Sequence, residues 1–101
     1  MPDKCFVGYC SVDLLIENSQ SLKDKRRVIA SLKKKIHNQF NVSVCEYGDL
    51  SLWQRTQLGL VTCSNDQRIV DSILREATEY IQRSGVVTLL NSKSTVIPAD
   101  V

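Results

Sequence analysis

CFVGYCSVDLLIE, residues 5–17, is the stretch on which the fold turns. Phe6, Gly8, Cys10, Val12, Leu14 and Ile16 fall on one side of an extended chain, and Val7, Tyr9, Ser11, Asp13, Leu15 and Glu17 on the other. A period of two marks a strand with one face turned to a core. Asn18-Ser19-Gln20 breaks the pattern, and Ser21 then stands three residues before Asp24, the spacing of a capping box at a helix start. Over the residues that follow, Leu22, Ile29, Leu32, Ile36 and Phe40 gather on one narrow stripe of a helix, with Val28 at its margin. That stripe must face the core, and Asn41 ends the helix.

Val42 to Tyr47 reads as a second strand, with Val42 and Val44 on one face and Ser43 and Cys45 on the other; Gly48-Asp49 marks a turn. Leu58, Leu60, Val61 and Cys63 suggest a third strand, interrupted by Gly59. Ser64 is read as the cap of a second helix, with Gln67 at the capping-box position and Ile69, Val70, Ile73, Leu74, Ala77, Tyr80 and Ile81 as its apolar face; helix capping also explains Asn65 and Asp66 without any ligand. Gly85 suits the position just past its end. Val86 to Leu90, with Ser94 to Ile97, completes a last strand.

The order strand, helix, strand, strand, helix, strand is the split pattern of an α+β, ferredoxin-like βαββαβ sandwich. It predicts a four-stranded antiparallel sheet with two helices on one face and an open opposite face. A chain of 101 residues is expected to form a single domain, residues 1–101, whose last eight or so residues are a loose tail. Hydrophobic residues make up 43% and charged residues 24%, which is ordinary globular usage. With neither a long apolar run nor a signal-peptide pattern at the start, the expected setting is the cytosol, away from membranes.

Charge is unevenly spread. Lys23, Lys25, Arg26, Arg27, Lys33, Lys34 and Lys35 are seven of the thirteen basic residues, offset within the first helix only by Asp24, so that segment carries about +6 and the remainder about −4. Taking the apolar stripe as reference, Lys23, Arg27 and Lys34 project opposite it, and Arg26, Lys33 and His37 occupy one flank. Cations spaced in this way can follow a phosphate backbone without reading bases. The plainer alternative is a solvated face, but acidic partners one turn away are missing. Lys25 stands apart, beside the apolar stripe. Its stem is expected to lie along the core rim with the ammonium in solvent, or to pair with a carboxylate such as Glu46.

Leu52-Trp53-Gln54-Arg55 lies between two strands. Trp53 is read first as a cap on the core, and otherwise as an anchor for a partner or a platform for a base; Arg55 is a further candidate phosphate contact. Cys5, Cys10, Cys45 and Cys63 sit in apolar or β-branched runs and are expected to be buried, reduced thiols. They contain no Cys-x-x-Cys pair and His37 is remote from them, so no metal or other cofactor is expected. Neither a nucleophile setting, a carboxylate pair nor a phosphate-cradling glycine loop is present, which argues against an enzyme.

Ser21-Leu22-Lys23-Asp24-Lys25-Arg26-Arg27, Asn41-Val42-Ser43-Val44, Leu52-Trp53-Gln54-Arg55 and Ser64-Asn65-Asp66, in this order and spacing, resemble the signature of the YlxP-like family of small uncharacterised bacterial proteins. The resemblance implies a ferredoxin-like domain and no established enzymatic activity. It also implies a gene neighbourhood shared with transcription-elongation, translation-initiation and ribosome-maturation factors. The expectation is therefore a non-enzymatic protein that binds RNA or the ribosome through Lys23, Arg26, Arg27, Lys33, Lys34 and Arg55. The alternative is a homodimeric protein-interaction module using a strand edge or the open sheet face, with Tyr9, Leu15 and Trp53 as contacts.

Overall fold

The computed structural model describes residues 4–99. Its elements are β1 (Phe6–Leu15), α1 (Leu22–Gln39), β2 (Ser43–Tyr47), β3 (Arg55–Ser64), α2 (Gln67–Arg83) and β4 (Thr88–Pro98). The strands form one antiparallel sheet in the order β2-β3-β1-β4, with both helices on one face, which is the expected ferredoxin-like arrangement. On β1 the predicted alternation is realised: Cys10, Val12 and Leu14 are buried beneath the helices and Tyr9 is exposed on the other side. α1 starts where the capping box placed it. The Ser21 hydroxyl accepts from the Asp24 amide at 3.1 Å, and the Asp24 carboxylate accepts from the Gln20 amide at 3.2 Å. Ile29, Leu32 and Ile36 carry its stripe into the core.

Gly8 lets α2 settle directly on β1. A Cβ at that position would lie 2.3 Å from Val70 Cγ1 and 2.8 Å from Leu74 Cδ1, so the helix could not sit there with any larger residue. Gly85, with φ +77, takes the left-handed conformation that closes α2, as its place past the cap Ser84 required.

The structure corrects the sequence reading at several points. α2 is capped by Asp66, not Ser64. The Asp66 carboxylate accepts from the Arg68 amide at 2.9 Å, whereas Ser64 Oγ accepts from the Asp66 amide at 3.2 Å and so builds the turn before the helix. Ile69 is exposed, because the buried line of α2 runs Val70, Leu74, Ala77 and Ile81 and a residue one step before Val70 is swung well away from it. β3 begins earlier than expected, at Arg55, and β4 is one long strand. Asp13 pairs with Asn91 and Leu14 with Leu89, so Leu90 is the extra residue of a bulge in place of the anticipated gap. The loose tail is likewise corrected as far as Pro98, since Ser94 to Pro98 ladder onto Cys10 to Phe6; residues 100 and 101 lie outside the described residues.

Candidate nucleic-acid interface

α1 holds its cations in three rows set by helical geometry. Lys23, Arg27 and Lys34 are exposed on the outward side. Arg26, Lys33 and His37 share the flank towards β2, where Lys33, Lys34 and His37 border a shallow depression of about 330 Å³ beside Val44. Lys35 lies on the opposite flank, facing α2. Lys33 is half-buried and the others are exposed. Among the described residues, ion pairs occur only for Lys25, Arg55 and Arg68, so Lys23, Arg26, Arg27, Lys33, Lys34 and Lys35 have no carboxylate partner. Six cations on one 18-residue helix are thus offset only by the capping Asp24.

Lys25 is different in kind, as its angle on the helix indicated. Its side chain is only 2% exposed, and its ammonium lies 3.3 Å from Glu46 Oε2 on β2 and donates to the Leu50 carbonyl at 3.4 Å. Thr56 Oγ1 donates to the same Glu46 oxygen from β3. A buried ammonium needs such a partner, because desolvating an isolated charge is far more costly than any packing gain. Helix, strand and loop are therefore fastened at one point.

That point positions the β2–β3 loop. Asp49 accepts from the Ser51 amide at 3.0 Å and from the Ser51 hydroxyl, and these bonds hold its carboxyl below the usual range. Gln54 Nε2 donates to the Ser19 carbonyl at 3.0 Å, and the Ile16 amide donates to the Gln54 carbonyl at 2.8 Å. Both ends of the loop are tied down, while Leu50, Leu52 and Trp53 at its tip are exposed, Trp53 by 55%. Trp53 does not cap the core. The loop's anchors are polar bonds, from Lys25 to the Leu50 carbonyl and from Gln54 to the Ser19 carbonyl, and they leave its apolar side chains outside.

Arg55 is not part of the α1 surface. Its guanidinium donates to Asp13 Oδ2 at 2.7 Å on the sheet face opposite the helices, next to Leu52 and Tyr47. The strand phase explains this: Arg55, Gln57, Gly59, Val61 and Cys63 all point to the open face, and Thr56, Leu58, Leu60 and Thr62 to the core. The same phase corrects the cysteines. All four are free thiols, but only Cys10 is buried; Cys45 and Cys63 are exposed on the open face and Cys5 is half-buried.

Tyr9, one of the candidate interaction residues, lies across that face. Gly59 gives its ring room, since a Cβ there would approach Tyr9 Cε1 to 3.1 Å. Hydrogen bonding with Tyr47, then partial burial, pushes the Tyr9 phenol up to about 12. Leu15 is on the same face at the far end of β1, half-buried and paired with Arg55, while Trp53 belongs to the loop that precedes β3. Lys35, which the sequence does not single out, faces α2, a relation that no spacing within α1 reveals.

Comparison with known proteins places these elements. Residues 7–94, from β1 into β4, match the family described as "Protein of unknown function (DUF503)". The chain belongs to this family. Among its relatives, the uncharacterized protein YlxP of Bacillus subtilis (strain 168) is 31% identical over 75 residues, covering 74% of this chain and 82% of the relative. This bears out the YlxP-like resemblance drawn from Ser21–Arg27, Asn41–Val44, Leu52–Arg55 and Ser64–Asp66. Of solved structures, a C-terminal segment of the alpha subunit of aIF2 from Pyrococcus abyssi is similar with a TM-score of 0.49 and 9% identity. The likeness covers 95% of this chain and 51% of that one, so this chain spans about half of it. The de novo designed protein Foldit4 is similar with a TM-score of 0.49 and 12% identity, covering 96% of this chain and 98% of that one. Among the described residues no helix is long and apolar enough to cross a membrane.

Proposed function

We propose that this member of the family is a non-enzymatic, cytosolic binding protein that holds RNA or the ribosome through the cations of α1. The observation that carries the reading is the absence, among the described residues, of any carboxylate paired with Lys23, Arg26, Arg27, Lys33 or Lys34. A helix that only needed solvation would be expected to carry acidic residues one turn away, whereas unpaired cations release counterions when they meet phosphates. Trp53 is a second element of the surface. Its loop is tied at Leu50 through Lys25 to the first turn of α1, and its indole is exposed, which leaves it open to stack on an unpaired base. Arg55 is left out of the contact set, because its charge is already answered by Asp13.

The test is co-sedimentation with ribosomes and binding to bulk RNA across a salt series. Five phosphate contacts give a slope of roughly −3.5 to −4.5 in log affinity against log salt, depending on strand state. Arg27→Glu with Lys34→Glu should remove binding while leaving the melting temperature nearly unchanged. Undiminished co-sedimentation of that folded variant would refute the proposal.

One observation favours a second reading, a homodimer or other protein-interaction module. Among the described residues β4 pairs only with β1, so its outer edge is an unpaired strand of 11 residues, next to a face with Tyr9, Val61 and Ile97 exposed. Light scattering decides it. A dimer that persists on dilution and is broken by Tyr9→Glu or Leu15→Glu supports this reading, and a monomer at all concentrations removes it.

A further inference from the structure

Between α1 and α2 lies a cleft of about 600 Å³, within the range of small-molecule sites. It exists because the residues of α1 that face α2 include the small Ser31 between Val28 and Lys35, so the helices do not interdigitate there. The Phe40 and Tyr80 rings, whose centroids are 5.7 Å apart in an edge-to-face contact, join the two helices nearby. The floor is mainly aliphatic, made by Val28 and Leu32, with Tyr80 at one side and the exposed Val86 as an apolar wall. Its rim carries Arg27 and Lys35 from α1 and Arg83 from α2, and none of the three has an ion-pair partner among the described residues.

We infer that this cleft is a binding site for a small amphipathic anion, a molecule with an aliphatic chain and a carboxylate or phosphate-ester head. The chain covers Val28, Leu32 and Val86, and the head meets Arg27, Lys35 and Arg83. The chemistry of the walls selects this class. Three cations on the rim require a negative group, and the apolar floor gives nothing to a bare inorganic anion. Neutral polar groups are few, the Ser31, Tyr80 and Ser84 hydroxyls, and Ser84 Oγ already donates to the Ile81 carbonyl at 2.8 Å and accepts from the Val86 amide at 3.4 Å, so the aliphatic floor and the cationic rim set the ligand class. The site is separate from the proposed RNA surface except for Arg27, which borders both.

The experiment is calorimetric titration of the full chain with octanoate and with octyl phosphate, each below its aggregation concentration, against octanol and inorganic phosphate. One-to-one binding of either or both anionic amphiphiles is expected, identifying the preferred head group, with octanol and phosphate weaker by roughly tenfold or more. Lys35→Gln with Arg83→Gln should weaken the amphiphile by a similar factor. Ser31→Leu should fill the cleft and abolish binding without changing any charge, so it keeps the RNA affinity, whereas Lys23→Glu with Lys34→Glu should lose RNA and keep the amphiphile. Melting curves confirm that each variant is folded. Octanol binding as tightly as the anions, an unaffected Ser31→Leu variant, or no binding of either amphiphile overturns the inference.

Discussion

Lys25 shows how far one side chain can depart from its neighbours. It sits among cations in the sequence, yet its angle on α1 sends it inward to Glu46, Thr56 and the Leu50 carbonyl. Glu46→Ala should therefore cost about 3–5 kcal/mol in denaturant unfolding, since it strands a buried ammonium, whereas Lys25→Met with Glu46→Leu should be far milder. Tyr9 offers a test by pH. Its phenol is raised to about 12 in the folded chain against about 10 unfolded, so the native state keeps its proton longer. The corresponding stability is complete below pH 10 and is lost as pH rises towards 12. Phenolate absorbance should show one late-titrating tyrosine, and Tyr9→Phe should flatten the alkaline fall in stability. The helical angle sets Lys25 apart from the basic face but leaves both a solvated ammonium and a pair with Glu46 open, and the packing selects the pair; the exposed Trp53 is not legible, because a loop has no period and its direction is set by distant anchors such as Ser19.

A single phase governs what each helix and strand shows to either side. In β1 the alternation was complete within the sequence, so the core face and the open face could both be read from it. In β3 the evident apolar residues began at Leu58, and without extending the phase back to Arg55 its guanidinium could not be assigned to the face away from α1. In α2 both Ile69 and Val70 are apolar, and only the packing against Gly8 of β1 decides between them. Ile69→Lys should accordingly change stability by less than about 0.5 kcal/mol, while Val70→Ala should cost on the order of 2 kcal/mol, measured side by side in urea. The two caps differ in the same way. Ser21 had no competitor, whereas Ser64 and Asp66 both offer oxygens and the carboxylate nearer the helix takes the Arg68 amide.

Taken entire, the protein has two unlike sides. Helices and the basic row of α1 occupy one, and a bare sheet occupies the other, with Tyr9, Val61 and Ile97 exposed, Arg55 paired with Asp13, and Lys93 of β4 opposite Ser11. Composition gave only a near-balanced charge; the separation needed the helix angles, and the cleft between α1 and α2 needed the packing. The free thiols of Cys45 and Cys63 are exposed on the sheet face opposite the helices. They are built-in reporters. In an alkylation time course, a partner gripping the helices should leave both cysteines as reactive as in the isolated chain, whereas a subunit lying across the strands should shield them. One footprint, with no residue replaced, thus distinguishes which half of the molecule is occupied.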